Sequence, residues 1–301
     1  MRYAQFQIQL GDFMLKDLFV IAALAIFSSI AHATTYPLTI KDQLGRTVTI
    51  QSEPKKIVVL LPSHTEMIYA LGAGPRVIGR DDYSDYPQDV QKLPKLGGLY
   101  NPNLEAIVAL KPDLVLSSEY GDLTPKLEKA GITVWAGSPQ RFEDIFNTIS
   151  TLARIVNRED AAVTLNQKIK LEVREIEIVT KAIKKTSVYY EIDPTPYSVG
   201  PNSFIGSLLS KGGALNIIPA SLGDFPQVSP ELIVKQNPSV IIGVSCSDAS
   251  KRPGWASIAA IQSNRCYTLT PAQDNLVNRP GPRIAQGLAV IAKMINPSLF
   301  R

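Results

Sequence analysis

The sequence predicts an α/β protein with two lobes joined by one long helix. Short apolar runs typical of buried strands alternate with helical segments in both halves of the 301-residue chain. A charged stretch without Gly or Pro separates the halves. A helix-Pro-strand pattern occurs once in each half, which indicates an internal repeat.

Residues 1–33 are predicted to be a cleavable signal peptide. The apolar run Leu18 to Ile30 follows Lys16 and precedes the small residues Ala31 and Ala33. This run is too short to cross about 30 Å of hydrocarbon, and small residues suit signal peptidase. Met14 is an alternative start. Because no cysteine lies near the run, we expect a periplasmic protein that is not lipidated.

The N-terminal lobe is predicted to span residues 34–157. It opens with the extended segments YPLTI and RTVTI, which are joined by the turn-like DQLG. Four strand-like runs follow at 57–61, 77–80, 113–118 and 132–137. Helical segments between them indicate βαβ units around a sheet that is buried on both faces.

One continuous helix is predicted over residues 158–185. Its apolar residues recur at helical spacing, at Ala162, Leu165, Ile169, Val173, Ile176, Val179 and Ile183. A helix of this length would span about 40 Å at 1.5 Å per residue. We therefore expect a stiff strut between the lobes.

The C-terminal lobe is predicted to span residues 186–301 and to repeat the N-terminal one. A shift of 126 positions aligns 103–116 with 229–242 and places Glu105 over Glu231. A second match pairs 70–79 with 210–219. Two similar lobes on one strut would enclose a cleft, where ligands usually bind.

The chain has two cysteines, Cys246 and Cys266, and a disulfide between them is possible. Cys246 follows one predicted strand and Cys266 begins the next. If these strands are parallel neighbours, the two residues should lie at opposite edges of the sheet, beyond the roughly 7 Å that a disulfide allows between α-carbons.

Composition and motifs argue against several other functions. The net charge is only +4 and the basic residues are scattered, so a nucleic-acid partner is not expected. Ser63, His64 and Glu66 could suggest an exported hydrolase, but adjacent residues on a helix do not form a triad. We expect Ser63 or Thr65 to be the N-cap of a helix, with Glu66 completing a capping box from Ser63.

A bare metal ion is also not expected. His64 is the only histidine after residue 33, whereas zinc sites use several ligands of this kind. Asp81, Asp82 and Asp85 lack the spacing of a calcium loop.

The chain resembles a known family, the periplasmic binding proteins for cobalamin, haem and ferric siderophores. The resemblance covers nearly all of residues 34–301. It rests on five segments: DQLGRTVTI at 42–50, LLPSHTEMIYALGAGPRVIGRDDYSDYP at 60–87, NPNLEAIVALKPDLVLSS at 101–118, FPQVSPELIVKQNPSVII at 225–242 and RPGPRIAQGL at 279–288.

The resemblance implies two Rossmann-like α/β lobes on a helical backbone and a binding protein without enzymatic activity or a catalytic cofactor. It implies a monomer that delivers a small-molecule metal chelate to the membrane subunits of an ABC importer. Cobalamin or a related corrinoid is the preferred ligand, with haem or a ferric siderophore as the alternative. His64 or Tyr83 could then ligate haem iron.

Site residues follow from the same resemblance. Tyr83 matches the family's pocket tyrosine, and Phe225 stands where cobalamin binders carry tryptophan. The predicted ligand-binding residues are Tyr83, Gly98, Leu99, Tyr100, Tyr120, Phe225, Asp274 and Arg279. Glu105 and Glu231 match the glutamates that dock into arginine pockets of the importer. Trp135 and Trp255 match no pocket position and are expected in the core.

Overall fold

A short antiparallel hairpin opens the described part of the chain. The computed structural model describes residues 33–120 and 122–300, so the predicted signal peptide lies outside it except for Ala33. Strand β1 (Leu38–Lys41) pairs with β2 (Thr47–Ile50), as the sequence predicts. The Asp42 carboxylate accepts hydrogen bonds from the amides of Leu44 and Arg46 and so shapes the turn.

The N-terminal lobe is built on four parallel strands in the order β4-β3-β5-β6. Their bounds are β3 (Ile57–Val59), β4 (Val77–Arg80), β5 (Leu114–Ser117) and β6 (Val134–Ala136). The helices of this lobe are α1 (Pro62–Ala70), α2 (Leu104–Ala109), α3 (Leu123–Lys129) and α4 (Asp144–Ile155), with 3-10 turns at Gly74–Arg76 and Gln88–Lys92.

Helix α5 (Glu159–Lys181) is the long connection between the lobes. Its 23 residues are continuous and span about 35 Å. Asn166 donates to the carbonyl of Phe146 in α4, at 3.2 Å. Near the other end, Thr180 donates to the carbonyl of Lys211, at 2.6 Å. The helix is therefore fixed to both lobes.

The C-terminal lobe has a sheet of similar design. Its strands are β7 (Thr186–Asp193), β8 (Tyr197–Ser198), β9 (Ala214–Asn216), β10 (Val240–Ile242) and β11 (Cys266–Tyr267). Its helices are α6 (Phe204–Lys211), α7 (Pro230–Gln236), α8 (Cys246–Ala249), α9 (Ala259–Gln262), α10 (Pro271–Asn278) and α11 (Ile284–Ile295), with 3-10 turns at Ala220–Leu222 and Trp255–Ser257.

Strand order reveals the internal repeat. The parallel strands of the C-terminal lobe run β9-β7-β10-β11, which is the order second-first-third-fourth along the chain. The N-terminal order β4-β3-β5-β6 is the same. Both sequence matches fall on equivalent elements, because 103–116 covers α2 and β5 and 229–242 covers α7 and β10. The mixed α/β fold is thus confirmed.

Successive side chains of a strand join different hydrophobic clusters, as expected for sheets that are covered on both faces. Ile57 and Val59 join a large cluster that also contains Ile169 of α5 and residues of the second lobe. Val58, between them, faces a separate N-terminal cluster. Trp135 lies in the large cluster and Trp255 in a third one, so both tryptophans are in the core as expected.

The expectation that the two cysteines lie too far apart is wrong. Cys246 and Cys266 form a disulfide, and their α-carbons are 5.1 Å apart. Strand β10 ends at Ile242, and Gly243, with a φ of 110°, turns the chain. Cys246 therefore begins α8 and returns beside β11, where Cys266 lies opposite Ile241.

No helix among the described residues is both long and apolar enough to span a membrane.

Candidate functional site

The carboxyl ends of the two parallel sheets face each other. The loop after β4 contacts the chain after β11, because Asn275 donates to the Asp85 carboxylate at 3.1 Å. The segment after β6 reaches two loops of the other lobe. Its residue Arg141 lies 3.5 Å from the carbonyl of Asn202, after β8, and 4.0 Å from the carboxylate of Asp224, after β9. A cleft at the carboxyl ends of parallel strands is where α/β folds usually bind ligands.

An ion cluster joins the lobes on one side of this cleft. Arg279 donates to Glu66 at 3.1 Å, to Asp85 at 2.7 Å and to the carbonyl of Tyr83 at 2.9 Å. Arg283 donates from Nε to the second oxygen of Glu66 at 2.8 Å. The side chains of Glu66 and Arg279 are only 2% and 10% exposed. The predicted ligand residue Arg279 is thus held between the lobes by two carboxylates.

Four of the predicted ligand-binding residues are aromatic, and they lie on loops at the carboxyl ends of the strands or beside them. Tyr83 follows β4, Tyr120 follows β5, Phe225 follows β9, and Tyr100 precedes α2. All four side chains are between 50% and 86% exposed. Apolar rings this exposed on neighbouring loops are suited to binding the face of a flat ligand.

The loop that carries Tyr83 packs against the loop that carries Tyr100, because the amide of Asp82 donates to the carbonyl of Gly97 at 3.1 Å. A methyl group placed on Gly98 would lie 3.3 Å from the Tyr83 ring, so Gly98 allows the ring to approach the backbone. Leu99 follows it and is half-buried. Burial and the nearby Glu119 raise the pKa of the Tyr120 hydroxyl, and Tyr100 acts in the same direction.

Asp81 shapes the loop that carries Tyr83. Its carboxylate accepts hydrogen bonds from the amides of Tyr83, at 2.7 Å, and Ser84, at 3.0 Å, and from the Ser84 hydroxyl. Arg80 donates to the carbonyl of Asp81 at 3.0 Å. Burial raises the pKa of the Asp81 carboxyl, although these hydrogen bonds act in the opposite direction. The loop is therefore preorganised.

Asp274 lines a separate cavity in the C-terminal lobe. The cavity measures about 220 Å³ and lies at the carboxyl ends of the central strands. Its lining residues are Tyr190, Glu191, Ile192, Gly243, Thr268, Leu269, Asp274 and Asn278. Asn278 donates to the Asp274 carboxylate at 2.6 Å. Asp274 therefore faces a cavity that is lined by residues of the C-terminal lobe, while its neighbour Asn275 contacts the loop that carries Tyr83.

Glu105 and Glu231 occupy equivalent positions. Each is the second residue of its helix, α2 or α7, and each is exposed. Asn103 caps α2 and Ser229 caps α7, each through a side-chain oxygen that accepts a backbone amide. The repeat thus presents one carboxylate from each lobe.

Two residues that were predicted to cap a helix or to carry chemistry, Glu66 and His64, have other roles. The capping-box prediction is wrong, because Leu61 is the N-cap of α1, Pro62 begins the helix, and Glu66 binds arginines instead. His64 is fully buried against Trp135, with ring centroids 5.7 Å apart, so it cannot reach a ligand in the cleft. Haem ligation by His64 is therefore excluded.

The sequence interpretation missed Arg141, Asp224 and Gln140. Gln140 accepts a hydrogen bond from the Tyr120 hydroxyl at 3.1 Å, and its neighbour Arg141 lies 4.0 Å from Asp224. Their position in the sequence could have indicated them, because Gln140 and Arg141 follow β6 and so lie at the same edge of the sheet as the predicted loops. Among the described residues, no group of three or more His, Cys, Asp or Glu could hold a metal ion.

Comparisons with known proteins agree with this architecture. A family model described as "Periplasmic binding protein" matches residues 57–273. An uncharacterized ABC transporter substrate-binding lipoprotein of Bacillus subtilis is 36% identical over 280 residues, which are 88% of each chain. A cobalamin-binding protein of Halobacterium salinarum is 29% identical over 279 residues, covering 87% of this chain and 74% of the relative.

Solved structures share the fold. The structure titled as a possible iron-binding (periplasmic solute-binding) protein from Staphylococcus epidermidis has a TM-score of 0.73 and 31% identity, over 81% of this chain and 100% of that one. The vitamin B12 binding protein of Vibrio cholerae has a TM-score of 0.70 and 22% identity, over 83% and 99%.

The predicted location needs correction. We expected a periplasmic protein that is not lipidated, because no cysteine lies near the apolar run. The Bacillus subtilis relative is named a lipoprotein, which contradicts this expectation. The expectation rested only on the lack of a cysteine near the apolar run at 18–30, and that lack does not establish where the protein is located.

Proposed function

This chain belongs to the periplasmic binding protein family, and on that premise we propose that it captures cobalamin or a related corrinoid in the cleft between its lobes. The family and its structural neighbours are solute-binding proteins rather than enzymes. The chain is a substrate-binding protein of the class that serves vitamin B12, haem and siderophore import. Such proteins work with the membrane subunits of ABC importers.

The observation that carries the corrinoid proposal is the set of exposed aromatic rings at the cleft. A corrin is a flat, largely apolar disc with a polar fringe, so it needs broad apolar faces and a few polar groups. Tyr83, Tyr100 and Tyr120 supply such faces from one lobe, and Phe225 supplies one from the other. Relatives named as cobalamin-binding and vitamin B12-binding proteins support the same ligand.

The remaining predicted residues have supporting roles in this proposal. Gly98 lets the Tyr83 ring approach the loop that also carries Leu99 and Tyr100. Arg279 holds the lobes beside the cleft, and Asp274 offers a hydrogen-bond acceptor to a ligand side arm that enters the 220 Å³ cavity. No catalytic cofactor takes part.

Haem is the second candidate, and the exposed tyrosines favour it. A tyrosine can ligate haem iron, and Tyr83 is accessible at the cleft. A ferric siderophore would use the same aromatic faces. These ligands differ in their visible spectra, so one experiment separates them.

The ligand test is a spectroscopic titration. Purified protein is mixed separately with cyanocobalamin, haemin and a ferric hydroxamate, and binding is followed by visible absorbance and calorimetry. We expect tight binding of cyanocobalamin. Tyr83→Ala and Phe225→Ala should each weaken binding about tenfold or more, because each removes an aromatic face. Leu171→Ala, an exposed apolar change on the long helix, is the control and should bind normally.

Delivery to the importer is proposed to use Glu105 and Glu231. A protein with an internal twofold repeat can present the same group from each lobe to a twofold transporter. The competing explanation is that each glutamate only favours its helix N-terminus. We also propose that the protein acts as a monomer, because one chain supplies both faces of the cleft.

The docking test replaces both glutamates with alanine. Uptake through the importer should be lost while ligand affinity stays unchanged, because neither glutamate is among the proposed ligand-binding residues. The matched control replaces the exposed Glu143 and Glu175 and should transport normally. Weaker ligand binding in the Glu105→Ala, Glu231→Ala variant, or unchanged uptake, would refute the docking role.

A further inference from the structure

A second contact between the lobes lies on the side of the cleft opposite the ion cluster. Arg141 approaches the carbonyl of Asn202 at 3.5 Å and the carboxylate of Asp224 at 4.0 Å. Both distances are long for charge-assisted hydrogen bonds, which are usually 2.7 to 2.9 Å. The two side chains are 63% and 44% exposed. Arg141 is therefore held loosely.

This contact is the repeat's counterpart of the Arg279–Asp85 pair. Asp85 lies after the second strand of the N-terminal sheet, and Arg279 lies after the fourth strand of the C-terminal sheet. Asp224 and Arg141 occupy the same two positions with the lobes exchanged. The fold thus places an arginine-aspartate pair across each side of the cleft.

The two arginines differ in how many of their donors are used. Arg279 is bound by Glu66, Asp85 and the carbonyl of Tyr83, with three contacts of 3.1 Å or less. Among the described residues, the Arg141 guanidinium has two contacts, at 3.5 and 4.0 Å, although a guanidinium carries five N–H donors. Within this part of the chain, Arg141 therefore has more donors to offer a ligand than Arg279 has.

Arg141 also stands beside the proposed ligand surface. Its neighbour Gln140 accepts from the hydroxyl of Tyr120, and its partner Asp224 precedes Phe225. A disc lying against Tyr120 and Phe225 would have its edge near the guanidinium. Arginine suits oxygen acceptors because its donors form a planar fork.

We propose that Arg141 binds an oxygen acceptor on the rim of the ligand and exchanges Asp224 for that oxygen when the ligand enters. The inference rests on the proposed function and identifies the ligand as a planar chelate with carbonyl, carboxylate or phosphate oxygens at its edge. Asp224 is then a competitor for Arg141 in the empty protein.

Competition predicts opposite effects for the two members of the pair. Arg141→Gln should weaken binding about tenfold, because a charge-assisted hydrogen bond to the ligand is lost. Asp224→Asn should tighten binding, by up to about fivefold, because the ligand no longer has to displace an exposed ion pair. If the pair only held the cleft closed, both changes would act in the same direction.

The experiment is calorimetry with cyanocobalamin at fixed pH and ionic strength. Controls with the same charge changes at exposed positions of the long helix are Arg174→Gln and Asp160→Asn. Thermal unfolding of each variant checks that it is folded. Dicyanocobinamide, which lacks the phosphodiester, is a second probe. A loss of affinity seen only with cyanocobalamin assigns the phosphate oxygen, and an equal loss with both probes assigns an amide carbonyl.

Two results would overturn the inference while leaving the proposed function intact. One is cyanocobalamin binding by Arg141→Gln with wild-type affinity. The other is weaker binding by Asp224→Asn, which would make the pair a clasp between the lobes. If wild-type protein bound none of the chelates tested, the proposed function would fail and the inference with it.

Discussion

Glu66 joins the two lobes through a buried carboxylate. Its carboxylate is 2% exposed and receives donors from Arg279 and Arg283, which lie more than 200 positions further along the chain. A buried carboxylate with two arginines is stable only while all members are present, because removing one leaves uncompensated charge.

Glu66→Gln should therefore destabilise the protein strongly. We expect a loss of about 3 kcal/mol in the free energy of unfolding, because two largely buried guanidinium groups lose their shared carboxylate. Urea denaturation followed by circular dichroism measures this. Glu172→Gln, which breaks the exposed pair with Lys168, is the control and should change little. Equal effects of the two substitutions would contradict the role given to Glu66.

His64 makes stability depend on pH. Burial lowers the pKa of His64 from 6.5 to about 3 in the folded protein. Below pH 6.5 the unfolded chain binds a proton that the folded protein does not bind until near pH 3. Stability should therefore fall as pH drops through this window, by at most about 1.4 kcal/mol per pH unit from this group.

The measurement compares wild type with His64→Leu. Urea denaturation at pH 7 and pH 4 should show a smaller difference for the variant, because leucine has no proton to bind. The same pH dependence in both proteins would show that other groups cause it.

At the scale of elements, helix α5 holds the two lobes at a set distance. One face packs into the large shared core through Ala162, Ile169 and Val173. The opposite face is exposed at Val163, Leu171 and Ile178. Lys181, in the last turn, suits the negative end of the helix dipole. The helix stops at Lys181, before the predicted Lys185, because β7 begins at Thr186.

The two faces of α5 should respond differently to the same substitution. Ile169→Ala removes a side chain that is 1% exposed and should cost about 3 kcal/mol of stability through the lost packing and the cavity. Leu171→Ala, two residues on and 60% exposed, should change stability by less than about 0.5 kcal/mol. Chemical denaturation of both variants tests this, and similar losses would contradict the assigned faces.

For the whole molecule, the arrangement favours a nearly fixed angle between the lobes. A continuous helix supplies no loop hinge, and the Glu66 cluster fastens one side of the cleft. The Arg141–Asp224 side is exposed and loosely paired. Any movement on ligand binding is therefore expected to be small and to occur on the Arg141 side.

Small-angle X-ray scattering tests the fixed angle. The radius of gyration should be the same within error with and without cyanocobalamin, because the long helix and the ion cluster oppose closure. In Glu66→Gln the difference should grow, since one fastening is lost. A large ligand-induced decrease in wild type would contradict the strut model.

The lobes, the long helix and the repeat could be predicted from the amino-acid sequence. These depend on local spacing: apolar runs such as IVV at 57–59, helical periodicity around Ile169, and the helix-Pro-strand unit that carries Glu105 and Glu231. Each signal lies within about 25 consecutive residues, so the backbone periods of strand and helix make it readable.

The side-chain contacts across the cleft and the disulfide could not be predicted from local sequence patterns and became visible only in the folded protein. Glu66 looked like a cap residue, and its arginines lie in another lobe, 213 and 217 positions away. Cys246 and Cys266 bond because Gly243 turns the chain. Which distant side chains meet depends on how the two folded sheets are oriented relative to each other. The local periodicity of strands and helices carries no information about that orientation.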